Sequence, residues 1–179
     1  MAIRLRYLAD LNPSKGELKG MPTDTEVSFL PMEAIGERGE LDVSQKRTLG
    51  EASSGYTFIR DGDVVIAKIT PCFENGKGAY ISGLVNGIGF GTTELIVVRP
   101  KGSLVNPRFL SYVFQSPHFR KPAEGHMTGA GGQKRVPDDF VRDFLIEVTD
   151  DARQDKIVRF LDRETAEIAV QAALTGHLV

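Results

Sequence analysis

Tyr56-Thr57-Phe58-Ile59-Arg60-Asp61-Gly62-Asp63-Val64-Val65-Ile66-Ala67-Lys68-Ile69-Thr70-Pro71 sets apolar runs rich in β-branched and aromatic residues on either side of Asp-Gly. Such runs form strands, because branched and aromatic side chains pack well on a pleated surface. Asp-Gly supplies the positive φ of a tight hairpin turn, so the two runs are predicted to pair across it. Pro71 lacks an amide hydrogen and ends the second run. Downstream, Asn75-Gly76 is another turn signal and Ala79-Tyr80-Ile81 a return strand. A glycine-rich segment from Gly83 to Gly91 then leads into Glu94-Leu95-Ile96-Val97-Val98-Arg99, which Pro100 stops. Residues 56–100 are the β-rich heart.

On the N-terminal side, residues 1–55 read as loops with one strand. Asn12-Pro13-Ser14-Lys15-Gly16 and Gly20-Met21-Pro22 are turn chemistry. Val27-Ser28-Phe29-Leu30 alternates as a strand should, and Pro31 closes it. On the C-terminal side, Asn106 can cap a helix with Pro107 at its first position, and Phe109, Leu110, Val113 and Phe114 share one face. Pro117 opens a second short helix. Gly125-His126-Met127-Thr128-Gly129-Ala130-Gly131-Gly132-Gln133-Lys134-Arg135 reads as a loop with nothing apolar to pin it. Pro137 to Phe144 suggests another helical turn or two, and Leu145-Ile146-Glu147-Val148 a strand. From Asp151 to Thr175 the pattern is helical for roughly 38 Å, with Ile157, Phe160, Leu161, Ile168 and Ala172 as a broken apolar stripe.

The composition is that of an ordinary globular protein: 179 residues, 41% hydrophobic and 26% charged, which is enough chain for one domain and an appendage. Cys72 is the only cysteine, so no internal disulfide can form and a reducing cytoplasm is expected. No stretch approaches the ~20 apolar residues of a membrane span. The basic N-terminus is followed by no apolar run, so it is not read as a signal peptide. The net charge of −2 is unevenly spread: residues 56–136 carry 10 basic and 5 acidic groups, residues 137–179 carry 5 and 10. The middle of the chain is basic and its end acidic.

Several catalytic readings fail for want of context. Gly87-Ile88-Gly89-Phe90-Gly91 would cradle a phosphate only if a helix followed, and a strand follows. Thr70-Pro71-Cys72-Phe73 is similar to the catalytic loop of amino-methyltransferases, yet the doubly wound sheet that holds a methyl donor is missing. Pro137-Asp138 lacks the acidic-x-Lys element a nuclease would place downstream. Cys72 could pair with His118, His126 or His177, but nothing specifies a third partner, and no cluster has metal-ligand spacing. What remains is a set of polar and basic residues on hairpins and on a glycine-loosened loop. Lys68 alternates out of an apolar strand, Lys77 follows a tight turn, and Gln133-Lys134-Arg135 follows small residues that permit close backbone approach. Lysines and backbone amides suit phosphates, while Arg, Gln and Asn can read base edges.

In order along the chain, several segments resemble the specificity subunits of type I restriction–modification systems. They are Phe29-Leu30-Pro31-Met32-Glu33, the Gly62-to-Lys77 block, Gly89-Phe90-Gly91-Thr92-Thr93-Glu94, Met127-Thr128-Gly129 through Gln133-Lys134-Arg135-Val136-Pro137, and Gln154-Asp155-Lys156-Ile157-Val158-Arg159-Phe160-Leu161-Asp162. The resemblance implies a mixed α/β target recognition domain reading half of a split DNA site. It also implies a spacer helix that measures distance and pairs, and partner subunits that carry methylation and ATP-driven cleavage. The specificity subunit itself catalyses nothing. The chain departs from that family in having one recognition domain and one helix rather than two of each. Val148-Thr149-Asp150-Asp151 also replaces a Pro-rich approach to the helix. Ile168 runs almost directly into Gln171-Ala172-Ala173-Leu174-Thr175-Gly176, which resembles the end of a spacer helix.

The expected fold is therefore α+β, with a recognition domain over residues 1–149 and a spacer and assembly helix over 150–179. The expected DNA contacts are Lys68, Asn75, Lys77, Gln133, Lys134 and Arg135, with Thr70 and Thr92 beside them. Ile157, Phe160, Leu161 and Ile168 are expected to pair two copies in a coiled coil. Double-stranded DNA, a methyltransferase subunit and a restriction or translocase subunit are the expected partners, with no cofactor, metal or membrane. A protein-interaction adaptor with a basic docking surface, or an enzyme using the Thr70–Phe73 loop, is the alternative.

Overall fold

The computed structural model describes residues 1–174, with side chains through residue 168, so the Gln171–Gly176 comparison, Ala172 and His177 have no described side chains. Two four-stranded sheets form the heart. In the first, strands β2 (Ala9–Leu11), β9 (Leu95–Pro100), β6 (Val64–Ala67) and β7 (Gly78–Tyr80) lie in that order, all antiparallel. In the second the order is β4 (Lys46–Thr48), β3 (Glu26–Leu30), β8 (Ile88–Gly91) and β5 (Thr57–Arg60), with β3 and β8 parallel. The fold is α+β, as expected.

The continuous apolar runs at residues 64–67 and 95–98 follow from burial on both faces. Val64, Ile66, Ile96 and Val98 face a core shared with the helices, while Val65, Ala67, Leu95 and Val97 face Leu30, Ile59 and Ile81. A third apolar cluster, around Val27, Phe29, Phe58 and Phe90, covers another part of the second sheet. Each alternate residue thus has its own core to enter.

Asp61-Gly62 makes the expected tight turn, with Gly62 at φ +92° and the Asp63 amide bonded to the Arg60 carbonyl. The runs it joins do not pair, which corrects the expected hairpin. β5 pairs with β8, and β6 with β7 and β9, so the turn carries the chain from one sheet to the other. Gly89 and Gly91, before Thr92, lie within strand β8 (Ile88–Gly91). A Cβ on Gly89 would lie 2.9 Å from the Ser28 carbonyl oxygen, and one on Gly91 2.7 Å from Leu95 Cδ1. They let β8 fit between β3 and β5 as an inner strand. The first 55 residues also hold more structure than expected, including β1 (Ala2–Arg4), β2, β4 and the helix α2 (Leu49–Ala52). Strands of three residues carry too little periodicity to show in a sequence.

Helices α3 (Pro107–Gln115), α4 (Pro117–Gly125) and α5 (Asp138–Asp143) contribute to the first core, and Asn106 caps α3 as read. β10 (Leu145–Glu147) returns to pair with β1, so the two ends of the domain meet. The last helix, α6 (Asp151–Leu174), is not set apart from residues 1–149. Val158 is buried in the helix-side core and Ile157 packs against it. Gln154 is fully buried, and Arg108 and Tyr112 of α3 both bind Asp162. Beyond that root, Ile168 is 53% exposed and Phe160, on a neighbouring face, is 62% exposed. The four expected pairing residues are thus divided. Ile157 is partly used by its own domain and Leu161 is half-buried, while Phe160 and Ile168 stand free of the core. Among the described residues, no helix is long and apolar enough to cross a membrane.

Candidate nucleic-acid interface

β6 ends at Ala67, and the chain continues into a wide loop that closes where the Ala67 amide donates to the Lys77 carbonyl. Phe73 plugs this loop into the core with no exposed surface, a burial that contributes about 1.5–3 kcal/mol. Arg120 of α4 holds it from beneath. Its Nε donates to the Phe114 carbonyl at 2.8 Å, its Nη1 to Phe73 at 2.5 Å and its Nη2 to Gly76 at 2.9 Å. Burial pushes this guanidinium down to about 10, which leaves it charged at neutral pH. The Lys77 ammonium ties the loop from the other side, donating to the Met32 and Ile35 carbonyls at 3.0 and 2.9 Å. Two of the three ammonium hydrogens of Lys77 are therefore given to the brace, which leaves one for any further contact.

The glycine-rich loop is better ordered than its composition suggests. Thr128 and Arg135 exchange backbone hydrogen bonds at 3.0 and 2.8 Å, making a small hairpin whose tip turns through Gly131 and Gly132 at φ +63° and +77°. A Cβ at Gly129 would lie 2.5 Å from the Gln133 carbonyl oxygen, so the hairpin closes only over glycine there. This hairpin is sewn to the extension of β6: the Thr70 amide donates to the Lys134 carbonyl, the Val136 amide to Lys68, and Ile69 bridges Arg135. The turn before β9 joins the same edge, since the Lys68 amide donates to the Glu94 carbonyl at 2.9 Å. Residues 68–77, 92–94 and 128–135, far apart in sequence, are one surface.

On that surface Lys134, Gln133 and Asn75 are exposed, and Lys68, Thr70, Thr92 and Arg135 half-buried. The Thr70 hydroxyl donates to Glu74, and the Thr92 hydroxyl accepts the Glu94 amide, so both threonines first of all shape their own turns. Arg135 donates from Nε and Nη2 to the two oxygens of Glu94 at 2.9 and 2.7 Å. That pairing, helped by the charge of Lys68, holds the Glu94 carboxyl below its usual range and pushes Arg135 up. The arrangement offers ammonium groups, amides and part of a guanidinium over a bent but braced edge. Sequence reading missed Glu94, Arg120 and Asp63. Asp63 is fully buried and accepts from Arg99 Nε and Nη2, both at 2.8 Å, at the base of β6. Nothing in a lone Arg or Asp marks it as buried rather than solvated. Among the described residues, no group of three or more His, Cys, Asp or Glu could hold a metal ion.

Known proteins place this surface in context. The specificity subunit of the type I restriction enzyme EcoEI, from Escherichia coli, is 41% identical to the chain over 158 residues, 87% of its length. The chain is homologous to type I restriction specificity subunits. A second such subunit, of EcoAI from the same organism, is 42% identical over 156 residues. The chain spans about a quarter of these curated relatives, 26% of each. No protein-family model matches it. The fold is likewise similar to a part, somewhat under half, of specificity subunits whose structures are known. The HsdS subunit from Thermoanaerobacter tengcongensis superposes with a TM-score of 0.76 over 99% of the chain and 45% of its own, at 19% identity. A structure from work on assembly and conformational transition of the type I R-M system gives the same TM-score at 20% identity and the same coverage of both chains. The S subunit from M. genitalium gives 0.56 at 13% identity, over 97% of the chain and 41% of its own.

Proposed function

We propose that the chain is a DNA target recognition domain, acting as the specificity component of a type I restriction–modification complex and catalysing nothing itself. The observation that carries this reading is the fusion of residues 68–77, 92–94 and 128–135 into one braced edge in a chain homologous to specificity subunits. Lys68 and Lys134 contact phosphates, which position a duplex without reading it. Asn75, Gln133 and Arg135 carry the amide and guanidinium geometry that can distinguish bases. Thr70 and Thr92 hold the turns that present them. A methyltransferase subunit and a restriction or translocase subunit are the partners, in the cytoplasm, and the free part of α6 with Phe160 and Ile168 serves assembly and pairing.

The test is salt-dependent binding to random-sequence duplex. Log K should fall linearly with log salt, and Lys68→Ala and Lys134→Ala should each flatten the slope by about one unit, since each phosphate contact releases roughly 0.9 counterion. Lys77→Ala should leave the slope unchanged in protein that remains folded. Slopes indifferent to Lys68 and Lys134 would remove this edge from the interface.

A further inference from the structure

A guanidinium has five N–H donors, and those of Arg135 can be accounted for one by one. Glu94 takes one from Nε and one from Nη2, and the Gln133 carbonyl, 3.4 Å from Nη1, takes a third. One N–H then remains on each terminal nitrogen. A carbonyl two residues back along the chain lies toward the stem of the side chain, so the two remaining donors point together off its far end. The side chain is 41% exposed, so the guanidinium is not enclosed by the protein. Its base is held on both sides, because Arg135 exchanges backbone bonds with Thr128 and bridges Ile69. Glu94 is held as firmly, its amide on Thr92 and its carbonyl on Lys68.

Two parallel donors call for two adjacent acceptors. In the DNA major groove guanine presents such a pair, O6 and N7, whereas adenine and cytosine each place a donor there. A phosphate also has two oxygens, but Glu94 lies in direct contact with the guanidinium and cancels most of its attraction for an anion. A neutral base edge meets no such repulsion and still finds both hydrogens. We infer that Glu94 is a positioning residue that aims Arg135 at a guanine, so the recognised sequence contains a G·C pair at that point. The inference deepens the DNA-reading proposal and rests on it.

Selection from a randomised duplex library by the 179-residue chain, followed by sequencing of the bound fraction, tests it. Wild type should enrich a sequence with a guanine preferred roughly 5- to 150-fold, as a good bidentate contact supplies. Arg135→Met keeps the length of the side chain but removes every donor, so preference at that one position should fall to about 2-fold or less while the others persist. Glu94→Gln, with circular dichroism confirming its fold, should lose preference at the same position although Arg135 is intact. A purely structural carboxylate would weaken every position together. The inference is overturned if the Arg135-dependent base is not guanine, if Glu94→Gln leaves that position unchanged, or if Arg135→Met weakens all positions evenly as loss of a phosphate contact would. Enrichment with no Arg135-dependent position sinks this inference alone. A wild type that enriches no sequence sinks the DNA-reading proposal along with it.

Discussion

Replacing Gln154 by methionine keeps the length of the side chain and removes its amide, at the point where α6 is rooted in the domain. Gln154 has no exposed surface. Its Oε1 accepts the Asn106 amide at 2.8 Å, and its Nε2 donates to the Leu104 and Thr149 carbonyls at 3.1 and 2.8 Å. Each bond contributes about 1 kcal/mol net, and a partner left unpaired away from water costs about 1–3 kcal/mol. Water can reach some of these half-covered partners, and methionine refills the space, so the loss should be roughly 2–4 kcal/mol. For a domain of this size that is a fall in melting temperature of roughly 4–16 °C. Urea unfolding followed by tyrosine emission suits the measurement, because the chain has 4 Tyr and no Trp. The Tyr112 hydroxyl donates to Asp162 of α6, so emission also reports release of the helix. Asp155→Ala is the control: it removes only an exposed 3.0 Å bond from Asn106 Nδ2 and should cost less than about 1 kcal/mol. A Gln154→Met variant no less stable than Asp155→Ala would refute the view that this amide roots the helix.

Asp63→Ala should cost roughly 3 kcal/mol in urea unfolding, because it removes the buried carboxylate that pairs with Arg99 and leaves that charge only the half-exposed Glu17; Glu17→Ala removes the more exposed partner and should cost markedly less. The Glu94 carboxyl should titrate below 4.5 by carbon NMR and move back toward that value in Arg135→Ala. Since its pKa is lowered on folding, the pair supports the folded edge above that ordinary value, and the support fades as pH falls through the lower, folded one. Phe160→Ser and Ile168→Ser should leave monomer stability within about 0.5 kcal/mol of wild type while weakening sedimentation as a complex with the methyltransferase subunit. Ile157→Asp should destabilise the monomer itself, and equal unfolding midpoints for the three variants would contradict the division of that helix.

Local chemistry was legible wherever one short segment determines its own conformation. The Asn106-Pro107 start of α3, the Asp61-Gly62 and Asn75-Gly76 turns, the apolar strands at 64–67 and 95–98 and the length of α6 all depend on neighbours within a few residues. The resemblance to specificity subunits was legible too, through short blocks in a fixed order. Which strands pair was not. Asp-Gly makes the same turn whether its flanks pair or part, and only the competing partners β8 and β9 decide that β5 and β6 lie in separate sheets. Nor could the sequence assign roles among similar charges. Lys68 and Lys77 look alike in the chain, yet Lys77 gives two of its three hydrogens to carbonyls of a segment some forty residues away. Asp63, Glu94, Arg120 and Gln154 read as solvated polar residues until the fold brings their partners within hydrogen-bond range. A side chain's charge and shape are carried by its own residue. Whether it is solvated, braced or aimed outward depends on groups distant in sequence, and those come together only when the chain folds.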